Sequence, residues 1–486
     1  MPLLDTQPLK SSFHGELFEP KDNGYDNARR IWNASVQKRP ALIARCSGIA
    51  DIIAALDFAH ADGLLTAIRG GGHNVGGRAL CDDGIVIDLS QMRSVHVDPG
   101  KRTIRVQGGA TLGDLDRETH PFGLAVPTGI VPKTGIGGLT LGGGVGWLLR
   151  KYGMSIDNVL SCQIVTADGK VLTASANENE DLFWALRGGG GNFGVVASFE
   201  FQAHPVHTVL GGMVLYPRDA AIDVLRNFRD YIAAAPDELT AYAAFLHSPD
   251  GAPLIGVVPC FCGDIPQGER ALQPLRTFGS PIVDTIQPLP FPAMQSLFAA
   301  SFPDGNQNYW KSTLQRDLSD AAITAIVGHA SKMTSPLSFL VVEHYGGASG
   351  RVPKDSTAFP HRDLPWDILF VAQWTDPAET ARHRDWARSG EETLRSFSAN
   401  AHLSSALDVE AEEVIDTAFG SNLARLAAVK QKYDPTNFFR VNYNIKPRVA
   451  EAGAAKNDRC TIEVRRGGRG PENVGRHEWD RKRDVL

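Results

Sequence analysis

Of the 49 glycines in this 486-residue chain, 26 fall between Arg69 and Gly194. Glycine brings no side chain to pack and loses more backbone entropy on folding than any other residue, so so dense a cluster needs a use for bare backbone. The densest runs are Arg69-Gly70-Gly71-Gly72-His73-Asn74-Val75-Gly76-Gly77, Thr128 to Trp147, and Arg187 to Val195. Successive amides in such runs can turn inward as an anion nest. The first run is no Walker loop, because no Gly-Lys-Ser/Thr follows. Nor is it the G-x-G-x-x-G fingerprint that opens a dinucleotide-binding helix, since Asn74-Val75-Gly76-Gly77 starts a helix poorly. Three walls of small residues exceed what turns require and fit a long, flat, phosphate-bearing group embedded in backbone. His73 sits inside the first wall. Its glycine neighbours bring no side chains to cover it, so its imidazole is placed to approach a ligand.

Length and pattern bound the rest. A chain this long exceeds one typical core, so two or more domains are expected. Short β-rich runs at 41–44, 65–68, 84–89, 103–106, 163–166 and 195–201 surround a helix at Ile49 to Ala61, an α+β arrangement. Past His204-Pro205 the glycine clusters end. Candidate strands at 210–215, 240–247, 254–261, 339–345 and 368–373 alternate with amphipathic helices, predicting an antiparallel sheet covered by helices on one face. A helix is expected at Ala424 to Lys432. Residues 448–486, with ten Lys/Arg and seven Asp/Glu, lose apolar periodicity and read as a disordered tail.

A formal net charge of −6 argues against nucleic acid as the main partner. No basic and apolar leader and no apolar run of roughly 20 residues is present, so a cytoplasmic location without membrane association is expected. The six cysteines form no C-x-x-C pair, and no metal site is expected.

Five motifs in order resemble the FAD-linked oxidases of the vanillyl-alcohol oxidase and berberine-bridge superfamily. They are Arg69 to Gly77, Gly135 to Gly146, Lys151-Tyr152-Gly153 with Asp157-Asn158, Arg187 to Val195, and Lys432 to Pro447. The stretches Gly15 to Pro20, Ile31-Trp32 and Arg39 to Cys46 are most similar to the bacterial 6-hydroxy-D-nicotine oxidase-like branch. The resemblance implies a PCMH-type FAD-binding domain over 1–205, a substrate domain over 206–410, and a segment at 411–447 that returns to the first domain. It implies FAD held by Arg69, Gly70, Gly71, Gly72, Asn74 and Gly77 of the first run, and by Gly129, Thr134, Gly138, Thr140, Gly142 and Gly146 of the second. Gly194, Val195, Asn442 and Asn444 complete the set. It also implies a covalent bond from His73 to the flavin. Relatives that add a second bond use a cysteine where this chain has Val131, so a single link is expected.

The implied reaction takes hydride from a small alcohol, amine or related metabolite to flavin N5 and passes electrons to O2, giving H2O2. Thr134 stands at the position thought to gate oxygen in the plant branch. Lys133 is read either as a surface residue or as a partner for charge near flavin N1 and C2=O. The candidate catalytic residues are Glu343, Tyr345 and His402. Glu343 and His344 must point to opposite faces of their strand, so only one can face the flavin. Tyr309, Trp310 and Lys311 form a second cluster that could line the pocket. The Tyr-x-Asn of sugar-oxidising relatives is absent near Asn400 to Ser405, which weakens a carbohydrate oxidase, and Val341 replaces a lysine of the nicotine-oxidase relatives. A dehydrogenase with a non-oxygen acceptor and a flavin-storage protein are the competing readings. A monomer or homodimer is expected.

Overall fold

The computed structural model describes residues 4–402 and 415–448; the stretch 403–414 and the expected tail from residue 449 onward lie outside the described residues. The first layer is a four-stranded sheet in the order Glu16–Phe18, Leu42–Arg45, Ile85–Asp88, Thr66–Arg69. Its first pair is antiparallel and the others parallel. Helix Ile49–Ala61 buries Ile52, Ala55, Leu56 and Ala59, residues three and four apart, against Leu42, Ala44, Ile85 and Ile87 of that sheet. The chain leaves this helix through Gly63 at φ 61°, a conformation glycine adopts without strain.

A five-stranded antiparallel sheet follows, in the order Val95–Asp98, Thr103–Gln107, Val195–Gln202, Val159–Val165, Val171–Ser175. Helix Leu112–Thr119 packs beside it and starts on a reciprocal cap: the Thr111 hydroxyl accepts from Asp114 N–H and the Asp114 carboxylate accepts from Thr111 N–H.

The third layer is a nine-stranded sheet whose main path runs Val283–Asp284, Val214–Pro217, Pro253–Phe261, Leu239–His247, Phe339–His344, Trp366–Trp374, Gln307–Gln315. Every pair in it is antiparallel. One face of this sheet is dry: Phe245, Val257, Leu340, Val342, Ile368 and Phe370 meet Phe228, Ile323, Ile326 and Trp386 from helices Ala221–Ala233, Asp320–Ala330 and Thr380–Leu394. Each such side chain contributes about 1.5–3 kcal/mol of transfer free energy. The expected one-sided helical cover is therefore present.

Two details differ from the sequence pattern. The run 210–215 is two strands, Thr208–Gly211 and Val214–Pro217, because the chain turns at Gly212 with φ 147°, where a Cβ would stand 2.5 Å from the Thr285 carbonyl. The edge strand Gln307–Gln315 was not anticipated, since its polar residues hide the alternation; Asn308, Ser312, Thr313 and Gln315 are nonetheless buried. The C-terminal segment packs into the first half of the chain: Leu426 and Val429 of helix Leu423–Tyr433, with Ile445, join Ile104, Phe199 and Phe201 in one core.

Candidate active site

The glycine runs converge because their backbones touch. A Cβ on Gly71 would lie 2.5 Å from Gly135 N, and one on Gly135 would lie 2.3 Å from Gly71 N, so the first two runs cross where only glycine fits. The Gly190 amide donates to the Leu141 carbonyl at 3.0 Å, joining the third run to the second. Asn442 Nδ2 donates to the Gly191 carbonyl at 3.0 Å, and Asn74 Nδ2 donates to the Tyr443 hydroxyl at 3.4 Å. Three distant segments and the C-terminal stretch thus build one wall. Because backbone cannot move aside as a side chain can, a Gly71→Ala variant is expected to lose flavin. The flavin-to-protein absorbance ratio of purified protein measures this. Gly328→Ala, in helix Asp320–Ala330 with nothing within 4 Å of its Cβ, is the matched control and should hold a wild-type ratio.

Four buried polar atoms of this wall are unspent. Among the described residues, His73 Nε2, Thr140 Oγ1, Asn442 Oδ1 and Asn444 Oδ1 have no hydrogen-bond partner. Burying such atoms unpaired costs about 1–3 kcal/mol each, so their grouping fits a bound polar group. No atom lies within 4 Å of a Cβ placed on Gly138 or Gly191, which leaves room beside the wall. Burial pushes the His73 imidazole down to about 4, so it is neutral at neutral pH. Its ring stacks on Trp32 at 4.1 Å and 11°, and the Trp32 indole donates to the Phe302 carbonyl at 3.1 Å. Trp32 is thus the residue that orients His73, a role the sequence did not disclose.

Other expected cofactor residues also make contacts with the surrounding chain. The Arg69 guanidinium turns back to the Ala28 carbonyl and toward Asp88. Gly70 abuts the Gly108 carbonyl, and Gly72 faces Ile31. Gly77 packs on Val36, Gly129 on Leu139, and Gly146 against the Thr128 carbonyl. Gly194, at φ 153°, lies against the Val165 carbonyl, and Val195 is fully buried in the strand beyond it. The Thr134 amide donates to the Val131 carbonyl at 3.0 Å, and Gly142 ends the short helix Ile136–Gly142. Lys133 is exposed and pairs with exposed Asp304 at 2.7 Å, which fits the surface reading rather than a flavin contact.

The uncovered face of the nine-stranded sheet meets this wall. Trp147 of the second run stacks on Tyr242 of strand Leu239–His247 at 5.0 Å. In register, Tyr242 lies opposite Glu343 and Glu343 opposite Asp367. Tyr345 donates to Glu343 Oε2 at 2.6 Å, and its oxygen stands 3.0 Å from Asp367 Oδ2. Burial raises Glu343, and burial together with the Glu343 charge raises Asp367 well above the carboxylate range. His344 points the other way, to Arg150 Nη1 at 2.9 Å, as alternation requires.

The structure does not bring His402 to this cluster. Its Nε2 meets Glu391 of helix Thr380–Leu394 at 3.1 Å and its Nδ1 meets Thr417 at 2.9 Å, while Glu391 also holds Lys311 at 3.3 Å. Lys311 and Tyr309 share the helix-covered face, Tyr309 under Arg384 and Arg388; of that trio only Trp310 faces the wall, 5.6 Å from Trp32. Asp367 and Tyr242 were missed because their strands show period-two alternation but no motif. Register across three strands, invisible in sequence, makes them neighbours. Among the described residues no helix is long and apolar enough to cross a membrane.

Comparison with known proteins agrees with this geometry. Residues 40–175 match the family described as FAD binding domain, and residues 406–446 match the family described as berberine and berberine like. The chain is similar to (R)-6-hydroxynicotine oxidase of Paenarthrobacter nicotinovorans, 36% identical over 456 residues and covering 90% of this chain and 97% of that one. It is also similar to chitooligosaccharide oxidase of Gibberella zeae, 31% identical over 457 residues, covering 86% and 89%. The crystal structure of 6-hydroxy-D-nicotine oxidase from Arthrobacter nicotinovorans superposes with a TM-score of 0.83 at 34% identity, covering 91% of this chain and 99% of that one. With a shared fold and a matched FAD-binding domain, the chain belongs to the FAD-linked oxidoreductases of the vanillyl-alcohol oxidase and berberine-bridge superfamily.

Proposed function

We propose that this chain is an oxidase that carries FAD through one covalent bond to His73 and acts on a small donor with a CH–NH or CH–OH group. The observation that carries the reading is His73 itself: neutral, aligned by Trp32, with Nε2 unpartnered in a wall of glycine backbone. A neutral imidazole is the nucleophilic form that attachment needs. Val131 offers no second nucleophile, which supports a single bond. Arg69 to Gly77, the second and third glycine runs, Asn442 and Asn444 would hold the cofactor. Bound FAD supplies a two-electron oxidant that O2 can regenerate, with H2O2 as product.

Glu343 is the residue this reading makes the base. It lies on the sheet face that meets Trp147 and is the carboxylate that receives the Tyr345 hydrogen. General-base catalysis of this kind contributes typically 10²–10⁴-fold. Two relatives' names give the donor classes to test first, a cyclic amine and an oligosaccharide. Aerobic turnover of (R)-6-hydroxynicotine and of chitobiose should be followed by both product and peroxide. One peroxide formed per donor oxidised is the expected outcome. Turnover that requires an artificial dye and yields no peroxide would replace the oxidase by a dehydrogenase.

A further inference from the structure

Tyr345 has one hydroxyl hydrogen and two carboxylate neighbours, Glu343 Oε2 at 2.6 Å and Asp367 Oδ2 at 3.0 Å. It cannot donate to both. If both acids were ionised, one would hold its charge against the lone pairs of the phenol, beside the buried Asp367 and Tyr345. The groups acting on the pair are Tyr242, Tyr345 and Ser312, with the Cys260 thiol behind Tyr242; among the described residues none of these is a cation. Two like charges so placed resolve by keeping one proton between them. The shorter distance identifies Glu343 as the acceptor of the phenol hydrogen. We propose that Glu343, Tyr345 and Asp367 form one proton-sharing unit, in which Asp367 stays protonated and donates to the Tyr345 oxygen while Tyr345 donates to Glu343.

The unit then bears a single negative charge, on Glu343, and Asp367 is a positioning residue that acts through Tyr345. A second feature marks this face as one that meets a ligand. The Tyr242 hydroxyl is buried, lies next to Glu343 in register, and has no partner among the described residues. The part this unit plays in turnover rests on the reading of Glu343 as the base. With FAD bound, the donor's N–H or O–H proton would pass to Glu343 while the hydrogen on the adjacent carbon, carrying the electron pair of its C–H bond, would go to the two-electron oxidant that FAD supplies, and C=N or C=O would form. That proton and the hydride would together leave as the two hydrogens of H2O2 once O2 takes the two electrons. Asp367 keeps its own proton throughout, and an ionised Glu343 is restored.

Infrared spectroscopy of the resting holoenzyme tests the sharing without turnover. At neutral pH, wild type should show a buried protonated-carboxyl band that shifts in D2O and is lost in Asp367→Asn. Retention of every such band in that variant would overturn the proposal. The second measurement titrates the Glu343 carboxylate, taken as the signal that Glu343→Gln removes. Asparagine is neutral like a protonated acid, so the midpoint in Asp367→Asn should stay within about half a pH unit of wild type. Were Asp367 ionised in wild type, losing its charge would lower the midpoint by about one unit or more, against the proposal. Tyr345→Phe should raise the midpoint, because Glu343 loses the donor that favours its charged form; no rise would also count against it. A Glu343→Gln enzyme with wild-type turnover would remove Glu343 as base and leave these proton assignments standing.

Discussion

Purified His73→Ala protein is expected to release all of its flavin on denaturation, whereas wild type keeps its yellow colour on the unfolded chain. In the folded chain His73 is held parallel to Trp32 at 4.1 Å, with Nε2 buried and unpartnered among the described residues. Val131, which the family resemblance puts where relatives carry a second-bond cysteine, has only an unreactive isopropyl group. Flavin retained equally by the alanine variant would end the covalent assignment. The same residue sets a pH dependence. An ordinary imidazole titrates near 6.5 and is mostly protonated at about pH 5. Burial pushes His73 down to about 4, so it remains neutral there. Apoprotein mixed with FAD should therefore acquire covalent flavin at about pH 5 at a rate close to that at neutrality. A sharp fall below about pH 6.5 would show that the imidazole is exposed to solvent before attachment.

The second large effect concerns stability. Lys430, fully buried, spends all three ammonium hydrogens: on the Asn192 carbonyl at 2.7 Å, Asp434 Oδ2 at 2.6 Å and the Phe439 carbonyl at 2.8 Å. Asp434, equally buried, also accepts from the amides of Phe438 and Phe439. This one ammonium ties the third glycine run to the segment carrying Asn442 and Asn444. Lys430→Met keeps the methylene packing but leaves a buried carboxylate without its cation, which costs about 3–5 kcal/mol. Chemical denaturation should show that loss, with a lower flavin content as the C-terminal wall loosens. Adding Asp434→Asn should recover part of the stability, since the stranded charge is then gone. A Lys430→Met protein as stable as wild type would mean that the pair only balances its own desolvation.

The glycine wall was legible because it is local. Runs at 70–77, 128–147 and 187–195 declare a need for bare backbone regardless of what lies opposite. Helix Ile49–Ala61 was read to the residue, since its apolar spacing is continuous. Strand Gln307–Gln315 was not, because a polar edge strand carries no clear alternation. The same lack of alternation hides which side chains share a face: Tyr309 and Lys311 adjoin Trp310 in sequence but turn to the helix-covered side. His402 looked available in sequence and is engaged by Glu391 and Thr417 in space.

The sequence by itself determined that His73 sits in a run of bare backbone and that Glu343 and His344 diverge. Each depends only on residue type and on the two-residue period of a strand. Tertiary structure alone decided which of that pair faces the wall, that Trp32 orients His73, that Lys430 closes the C-terminal return, and that Asp367 reaches Tyr345. These depend on register between strands and on contacts across hundreds of residues, and no local pattern encodes the distance between two side chains that meet only after the chain has packed.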